Sequence, residues 1–438
     1  MLINKKNIDK LFYVFISIHL IIWTLVPSIT NNNLPLDTIE ALSWGGNLDW
    51  GFNKHPPASA FFVELFFQIF GNNDWAYYLL SQIFLVFSFL IIFKFSQEIY
   101  KDKIFGFISV LILEGIYFYN YTSPEFNVYI SELPFWTLTV YYSYKAFSKD
   151  HFKDWALMGF FGSIGFLSHY LFSYLLLSIT FFFIFSFWKN VKFNFKSLVA
   201  LEVFIIMIIP HLIWLTENDY TTLKYALHRT GSGMNDKDLI DHIIYPASFL
   251  LKQIGILIPF WIMLYTLINK FKVKLDFKDK KLLFLFFINF VPIILIILTS
   301  FLTGSKIKTM WLTPFYLYFG LFFIYLFQRH INIKRLKFFY ISFLIFFILS
   351  PIIYSTVSIS QTDKRTDYPG KQIAEKIQYI WNQDHKEPIT VVLGDEWFGG
   401  NLSYHLESRP IWEGPISKNK LNSLSKFTCI DNICVGNR

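Results

Sequence analysis

Long apolar runs alternate with short polar segments over the first 355 residues of the chain. Eleven of these runs are candidate spans, most of them with about 17–22 residues, which is enough for a helix to cross a bilayer. They lie at 11–27, 75–93, 104–120, 128–144, 154–168, 171–188, 198–216, 243–269, 282–302, 309–327 and 338–355. This pattern predicts an all-α polytopic membrane protein with about eleven transmembrane helices over residues 1–355.

Two of the polar segments are long, at 28–74 and 217–242. The first contains an apolar stretch, Ala58–Phe70, that is too short to span a bilayer and predicts a helix lying in the interface. The second contains Gly231-Ser232-Gly233, which predicts a flexible break. Both segments fall on the same side of the predicted membrane, and we expect them to form one functional face.

The pattern changes after residue 355. Residues 368–381 predict a helix with Pro369 in its first turn, and residues 389–393 predict a strand that ends in a turn at 394–396. We therefore expect residues 356–438 to form a small α/β domain.

The charged residues orient the chain. Loops on one side carry 22 Lys and Arg residues and loops on the other carry six, so the N-terminus is predicted to be cytoplasmic and the C-terminal domain periplasmic. Cys429 and Cys434 are the two cysteines, and a disulfide between them fits an oxidising compartment, although a pair of free thiols is the alternative.

Composition supports a membrane protein. The chain is 54% hydrophobic and 16% charged, whereas soluble proteins carry about 25% charged residues. Its net charge of +8 comes from cations interspersed between apolar runs, so it does not indicate a nucleic-acid partner. We therefore expect the protein to contact membrane lipids.

Two carboxylates follow the first span directly. Asp37 and Glu40 are three residues apart and would share one face of a short helix that Gly45-Gly46 ends. A carboxylate at a membrane surface can accept a proton from an attacking hydroxyl. The alternative is that Asp37 caps the helix and that the pair lies on a solvated face.

A basic pair follows at Lys54-His55, before Pro56-Pro57. Two prolines stiffen the backbone and can aim the side chains before them, and Lys or His can bind a phosphate there. The alternative is a lysine that reaches for lipid headgroups.

Further polar residues lie in the other outer turns. Glu125 and Asn127, in Ser123-Pro124-Glu125-Phe126-Asn127, could contact a sugar or a metal, or could satisfy helix ends. His169, Arg229 and Lys306 add basic groups on the same face. Each is more often structural when taken alone, but a site that stabilises a leaving phosphate needs such charge.

Several other chemistries lack their sequence signals. The chain has no Gly-rich phosphate loop, no His-Glu-x-x-His zinc motif and no Gly-x-Ser-x-Gly elbow, and no cytoplasmic nucleotide-binding domain is predicted. A nucleotide-sugar donor therefore has no evident docking place, whereas a lipid-phosphate donor delivered within the membrane needs none.

The polar motifs together resemble those of the membrane-embedded GT-C glycosyltransferases that use polyprenyl-phosphate sugars. These include glycosyltransferase family 39 with its protein mannosyltransferases, and the lipid A aminoarabinose and core galacturonic acid transferases. The resemblance rests on residues 36–41, 50–57, 123–127, 133–136, 225–229, 366–370 and 394–397.

The resemblance implies that Asp37 is the catalytic carboxylate and that basic residues after its loop bind the lipid phosphate. His55 stands where the family has a phosphate-contacting residue, and Lys54 stands where the aminoarabinose transferases have an acidic residue that can hold a metal. His169, in Ser168-His169-Tyr170, replaces the lysine expected in a Ser-Lys-Tyr motif. No metal ligand set is therefore predicted, although a divalent cation near Glu40 and Glu125 stays open.

The resemblance implies a bacterial inner-membrane glycosyltransferase with a periplasmic active site. Its donor would be a monosaccharide on undecaprenyl phosphate, and its acceptor a lipid or glycan of the envelope, such as lipid A or the lipopolysaccharide core. Asp37 would be the base. The substrate-binding residues would be Glu40, Lys54, His55, Glu125, Asn127, His169, Arg229 and Lys306. The alternatives are a protein O-mannosyltransferase type of enzyme and a polytopic transporter or flippase.

Overall fold

The computed structural model describes residues 7–188, 194–230, 238–270 and 275–438. The flexible break expected at 231–233 lies outside these residues, as do Lys5, Lys6, Lys189, Lys192, Lys237, Lys272 and Lys274, which entered the charge count.

The described residues form eighteen α-helices. They are α1 (Ile8–Thr30), α2 (Leu36–Gly45), α3 (Ala58–Phe70), α4 (Asp74–Ile99), α5 (Lys103–Leu111), α6 (Val128–Lys149), α7 (Phe152–Ser168), α8 (Ser173–Trp188), α9 (Ser197–Glu217), α10 (Thr221–Arg229), α11 (Asp241–Ile256), α12 (Ile258–Leu267), α13 (Lys280–Thr303), α14 (Phe319–Phe327), α15 (Leu336–Ser360), α16 (Gly370–Asp384), α17 (Glu396–His405) and α18 (Lys418–Asn422). The described residues also form four strands, which are β1 (Val391–Gly394), β2 (Ile411–Trp412), β3 (Lys426–Ile430) and β4 (Ile433–Asn437).

Each predicted span coincides with one or more of the helical segments, so the polytopic helical architecture is confirmed. Five described helices are long and apolar enough to cross a membrane by themselves, namely α1, α4, α9, α13 and α15. The number rises to seven if each of two bent pairs is one span: α11 with α12, bent by 48°, and Thr309–Tyr316 with Phe319–His330, bent by 54°. The total of eleven spans stays a prediction.

The core of the helical part is aromatic, and it also contains a buried polar pair. Trp23, Trp136 and Trp155 are fully buried in it. His19 on α1 lies 2.7 Å from Glu114, which sits in the 3-10 turn Ile112–Gly115 after α5, and both side chains are inaccessible to solvent. Because a buried polar group needs a partner, this pair ties α1 to the third predicted span, which the 3-10 turn interrupts.

The C-terminal domain contains a four-stranded sheet in the order β2-β1-β4-β3. β1 pairs in parallel with β2, whereas β4 is antiparallel to both β1 and β3. Cys429 and Cys434 face each other across the β3–β4 hairpin and form a disulfide. The predicted helix at 368–381 and strand at 389–393 correspond to α16 and β1, but the turn expected at 394–396 leads directly into α17.

α17 fixes this domain against the outer loops, where it packs on α2. The close approach depends on Gly400, since a Cβ atom there would lie 2.9 Å from Ile39 Cγ2 and 3.2 Å from Ser43 Cβ. Two polar contacts support the packing: the Asn33 side-chain amide donates to Asn401 Oδ1 at 2.9 Å, and Arg409 pairs with Glu64 on α3 at 2.9 Å. The C-terminal domain therefore packs directly on the segment that contains α2 and α3.

Candidate active site

The predicted short helix after the first span is α2, and its start is built by a second segment. Pro35 precedes the helix and Asp37 lies in its first turn, so Asp37 is not the capping residue. The first N–H groups of a helix lack intrahelical partners. Here Glu125 Oε1 accepts the Asp37 N–H at 3.1 Å, and the Thr38 hydroxyl donates to the Phe126 carbonyl at 3.0 Å. The structure thus brings Glu125 to Asp37.

The Asn127 side chain has a structural role at the start of α6. Its side-chain oxygen accepts the N–H groups of Tyr129 at 3.1 Å and Ile130 at 3.0 Å, and it caps α6 in this way. The structure therefore gives Asn127 the helix-ending role that was one of its two interpretations. Its substrate contact stays untested.

Lys54 lies between two carboxylates. Its Nζ is 2.7 Å from Glu40 Oε1 and also forms an ion pair with Glu396, the first residue of α17. Glu396 accepts a second hydrogen bond, from Trp44 Nε1 on α2, at 2.7 Å. Glu396 was not among the predicted site residues. The sequence offered one weak signal, because residues 394–397 are among the stretches that carry the family resemblance.

Burial and the repulsion of neighbouring carboxylates raise the pKa of Asp37, Glu40 and Glu125. Loss of hydration and the neighbouring Asp37 raise the pKa of Glu125 to about 8. Loss of hydration and the charge of Glu396 raise the pKa of Glu40 to about 7. Burial also raises the pKa of Asp37, against the opposing charges of Lys54, Lys308 and Arg229. Such perturbed groups in one place are typical of functional sites.

His55 lies among aromatic rings. Its ring centroid is 5.9 Å from Trp44, 5.6 Å from His169 and 6.5 Å from Tyr225. Burial, with Lys54 adjacent, lowers the pKa of His55 to about 3. His55 is therefore neutral near pH 7, so it can donate a hydrogen bond to a phosphate but does not supply a full charge.

His169 forms the next layer behind His55. Its ring centroid is 5.0 Å from that of Tyr129, and its Nδ1 is 3.7 Å from Glu132 Oε1 on α6. Burial lowers the pKa of His169 well below its ordinary value. His169 therefore contacts His55, which lies between it and the carboxylates of α2.

The cations that act on Asp37 come from three separate segments. Lys54, Lys308 and Arg229 each favour its ionised form, in that order of strength. Lys308 is half-buried, whereas Lys306 is exposed and its charge acts on Lys308. The structure therefore favours Lys308 over the predicted Lys306 as the residue that faces Asp37.

The donor set suits an anion better than a metal ion. Among the described residues, no group of three or more His, Cys, Asp or Glu side chains could hold a metal. Glu40 and Glu396 both pair with the Lys54 ammonium group, which would repel a cation placed between them. A phosphate would instead meet Lys54, Lys308 and Arg229.

The chain is similar to known membrane enzymes. Residues 54–214 match the family model described as dolichyl-phosphate-mannose-protein mannosyltransferase. A crystal structure of ArnT from Cupriavidus metallidurans bound to undecaprenyl phosphate has a TM-score of 0.63 at 10% sequence identity, with 94% of this chain and 86% of that chain covered. The same protein in the apo state gives a TM-score of 0.59 at 10% identity, over 94% of this chain and 87% of that one. No curated protein matches the chain significantly.

These findings confirm the predicted resemblance to the GT-C glycosyltransferases in family domain and in fold. The enzyme class predicted from the sequence, a glycosyltransferase, is confirmed with them. The matched family segment includes Lys54, His55, Glu125 and His169, while Asp37 lies before it.

Proposed function

We propose that the protein transfers a monosaccharide from a polyprenyl-phosphate carrier to an envelope acceptor such as lipid A or core oligosaccharide. The observation that carries this proposal is the pairing of Asp37 and Glu125 at the start of α2, facing Lys54, Lys308 and Arg229. A fold shared with a protein bound to undecaprenyl phosphate supports the lipid-phosphate donor. The outer segments 28–74 and 217–242 would form the periplasmic face of a bacterial inner-membrane enzyme.

In this reaction Asp37 accepts the proton of the acceptor hydroxyl, and the oxygen of that hydroxyl attacks the anomeric carbon of the donor sugar. The new glycosidic bond forms on the face opposite the phosphate, the bond from the anomeric carbon to the phosphate oxygen breaks, and the configuration inverts. Lys54, Lys308 and Arg229 offset the charge on the departing lipid phosphate, and neutral His55 donates a hydrogen bond to it.

Glu40 and Glu125 have pKa values of about 7 and about 8, so near neutral pH each is partly protonated. A carboxyl group in this state can donate as well as accept a hydrogen bond. We assign Glu125, which contacts the Asp37 backbone, to the acceptor hydroxyl, and Glu40 to the placement of Lys54.

A protein O-mannosyltransferase type of activity is the second candidate, and the family match over residues 54–214 favours it. A transporter is less well supported, because the clustered charges lie in outer loops and not at the middle of the spans. The two enzyme candidates differ in their product, since one places sugar in a lipid and the other in a protein.

The test is a comparison of envelope lipids and proteins from a deletion strain and from the same strain carrying the gene. The proposal expects one glycolipid to lose a sugar in the deletion strain, as seen by mass spectrometry, with the protein fraction unchanged. Loss of a sugar from a protein in the deletion strain, with the lipids unchanged, would favour the second candidate. No change in either fraction would contradict both.

A further inference from the structure

The segment that carries Lys54 and His55 is closed into a short turn. The Phe52 N–H donates to the His55 carbonyl at 3.0 Å, so residues 52–55 form one compact loop. The Phe52 ring also stacks on Trp44 of α2, with the ring centroids 5.5 Å apart. These contacts define the shape of the turn and attach one side of it to α2, and further contacts come from α9 and α10.

α9 holds the residues that precede this turn. His211 on α9 is fully buried, and its Nδ1 lies 2.6 Å from the Trp50 carbonyl oxygen. A carbonyl oxygen can only accept a hydrogen bond, so Nδ1 carries a proton, and Nε2 of the same ring lies 2.7 Å from the Tyr170 hydroxyl. Gly51 lies directly on an indole ring, since a Cβ atom there would be 2.3 Å from Trp214 Cε3. The backbone before the turn is therefore held against α9.

α10 holds the turn itself. Thr222 lies in the first turn of α10 and is fully buried, and its hydroxyl donates to the Phe52 carbonyl at 2.6 Å. The link from α9 determines where this hydroxyl lies, because Asp219 and Tyr220 have left-handed backbone φ angles of 53° and 55°. Few residues other than glycine adopt this conformation. The Tyr220 N–H donates to the Leu215 carbonyl at 2.8 Å, which joins the link to the end of α9. The Thr222 hydroxyl therefore attaches the turn at a defined place.

The same short helix carries a second cation of the site. Arg229 is the last residue of α10, and its charge acts on Asp37 together with that of Lys54. We propose that Thr222 and His211 are positioning residues, which hold Lys54 at a set distance from Arg229 so that both cations meet one phosphate group. This inference rests on the proposed function and adds to it two residues that act through the turn and not on the substrate.

The ion pairs of Lys54 do not by themselves determine where its charge lies. A lysine side chain has a long flexible stem, and the partners Glu40 and Glu396 belong to two different helices. Loss of the Thr222 hydroxyl would leave the buried Phe52 carbonyl without its donor, and the turn would shift towards another partner. A displacement of about 1 Å in a group that meets the reacting phosphate can lower the rate by about 100-fold. The backbone contacts of the turn therefore bear on the reaction.

Variants of Thr222 in the full-length protein test the inference. Thr222→Val keeps the shape of the side chain and removes the hydroxyl, so we expect sugar transfer to fall, and the Kd for undecaprenyl phosphate to rise, by about 10-fold. Thr222→Ser keeps the hydroxyl and should restore most of both. The matched control is Thr216→Val on α9, because Thr216 is exposed and its hydroxyl bonds to the Ile213 carbonyl of its own helix. Equal losses in Thr222→Ser and Thr222→Val would show that Thr222 acts only by packing, and would overturn the inference.

The reactivity of Lys54 gives a readout that does not depend on the donor. Its side chain is 20% exposed and pairs with two carboxylates, so acylation by acetic anhydride should be possible but slow. Thr222→Val and His211→Phe should each raise the acylation rate of Lys54 several-fold, while the exposed Lys371 reacts as in the wild type, as measured by mass spectrometry. An unchanged rate at Lys54 in both variants would overturn the inference. If the wild-type protein does not bind undecaprenyl phosphate but Lys54 becomes more reactive in Thr222→Val, the proposed function fails and the positioning of Lys54 is supported without it.

Discussion

The helices α2 and α17 pack against each other beside the candidate active site, and they differ in how readily the sequence predicts them. α2 follows the first span, is bounded by Pro35 and Gly46, and carries two carboxylates with helical spacing. α17 follows a short strand in the tail, and we expected only a turn where it begins. Nevertheless Glu396 of α17 contacts Lys54 as Glu40 of α2 does.

The difference shows where sequence reasoning succeeds. Residues on one short helix share a face because of local geometry, which can be deduced from spacing. Glu396 reaches Lys54 only because Gly400 lets two helices approach closely, and no local pattern encodes that contact. If α17 helps to position the groups of the site, substitutions in α17 must change sugar transfer as substitutions in α2 do.

Replacement of the proposed base on α2 should have the largest effect. Asp37→Asn keeps the side chain's shape but cannot accept a proton, so we expect sugar transfer to fall by about 100-fold or more. Transfer would be measured with the purified protein and a polyprenyl-phosphate sugar, and thermal unfolding should be nearly unchanged. Near-normal transfer would remove Asp37 from the base role.

Separation of α17 from α2 should have the next largest effect. Gly400→Val places atoms within about 3 Å of Ile39 and Ser43, which should shift α2 and lower transfer by about 10- to 30-fold. The matched control is Gly255→Val on α11, where a Cβ atom meets nothing within 4 Å. Equal effects of the two substitutions would mean that the α2–α17 contact has no special role.

The fold was predictable as far as local pattern determines it. The positions of the spans follow from apolar runs, and α3 begins and ends at the residues expected for a short apolar helix. The bends of 48° and 54° in two spans, and the 3-10 turns after α5, were not predictable. Tertiary packing sets these features, and hydropathy does not report them.

The site was predictable to a similar extent. Asp37, Lys54 and Glu125 were proposed as candidates because polar residues in short turns are conspicuous beside apolar spans, and the structure brings these three together. Lys308 and Lys306 are two residues apart, and the sequence could not tell which one faces Asp37. Asn127 illustrates the converse problem, since helix capping and substrate binding use the same residue type.

Neutralisation of Glu396 should have a smaller effect than the two preceding changes. Glu396→Gln keeps an acceptor for the Trp44 N–H but leaves Lys54 with one carboxylate partner, so a phosphate meets less competing negative charge. We expect the Kd for undecaprenyl phosphate to fall by about 5- to 10-fold, with Glu40→Gln acting in the same direction. An unchanged Kd for Glu396→Gln, alongside a lower Kd for Glu40→Gln, would show that α17 is only a structural support.

The smallest effect concerns the pH dependence of stability. In the folded protein Glu125 has a pKa of about 8 against an ordinary value of 4.5, so the folded state holds its proton more strongly and stability should fall as the pH rises towards 8. His55, whose pKa is lowered to about 3 from 6.5, acts in the opposite sense mainly below pH 7.5 and contributes equally to the wild-type protein and to Glu125→Gln. Between pH 6.5 and 8 the Tm of the wild-type protein should therefore fall by about 1–3 °C more than that of Glu125→Gln, as measured by thermal unfolding in detergent. Parallel curves for the two proteins would mean that Glu125 is ionised throughout this range, and Glu125 would then be unable to donate a hydrogen bond to the acceptor.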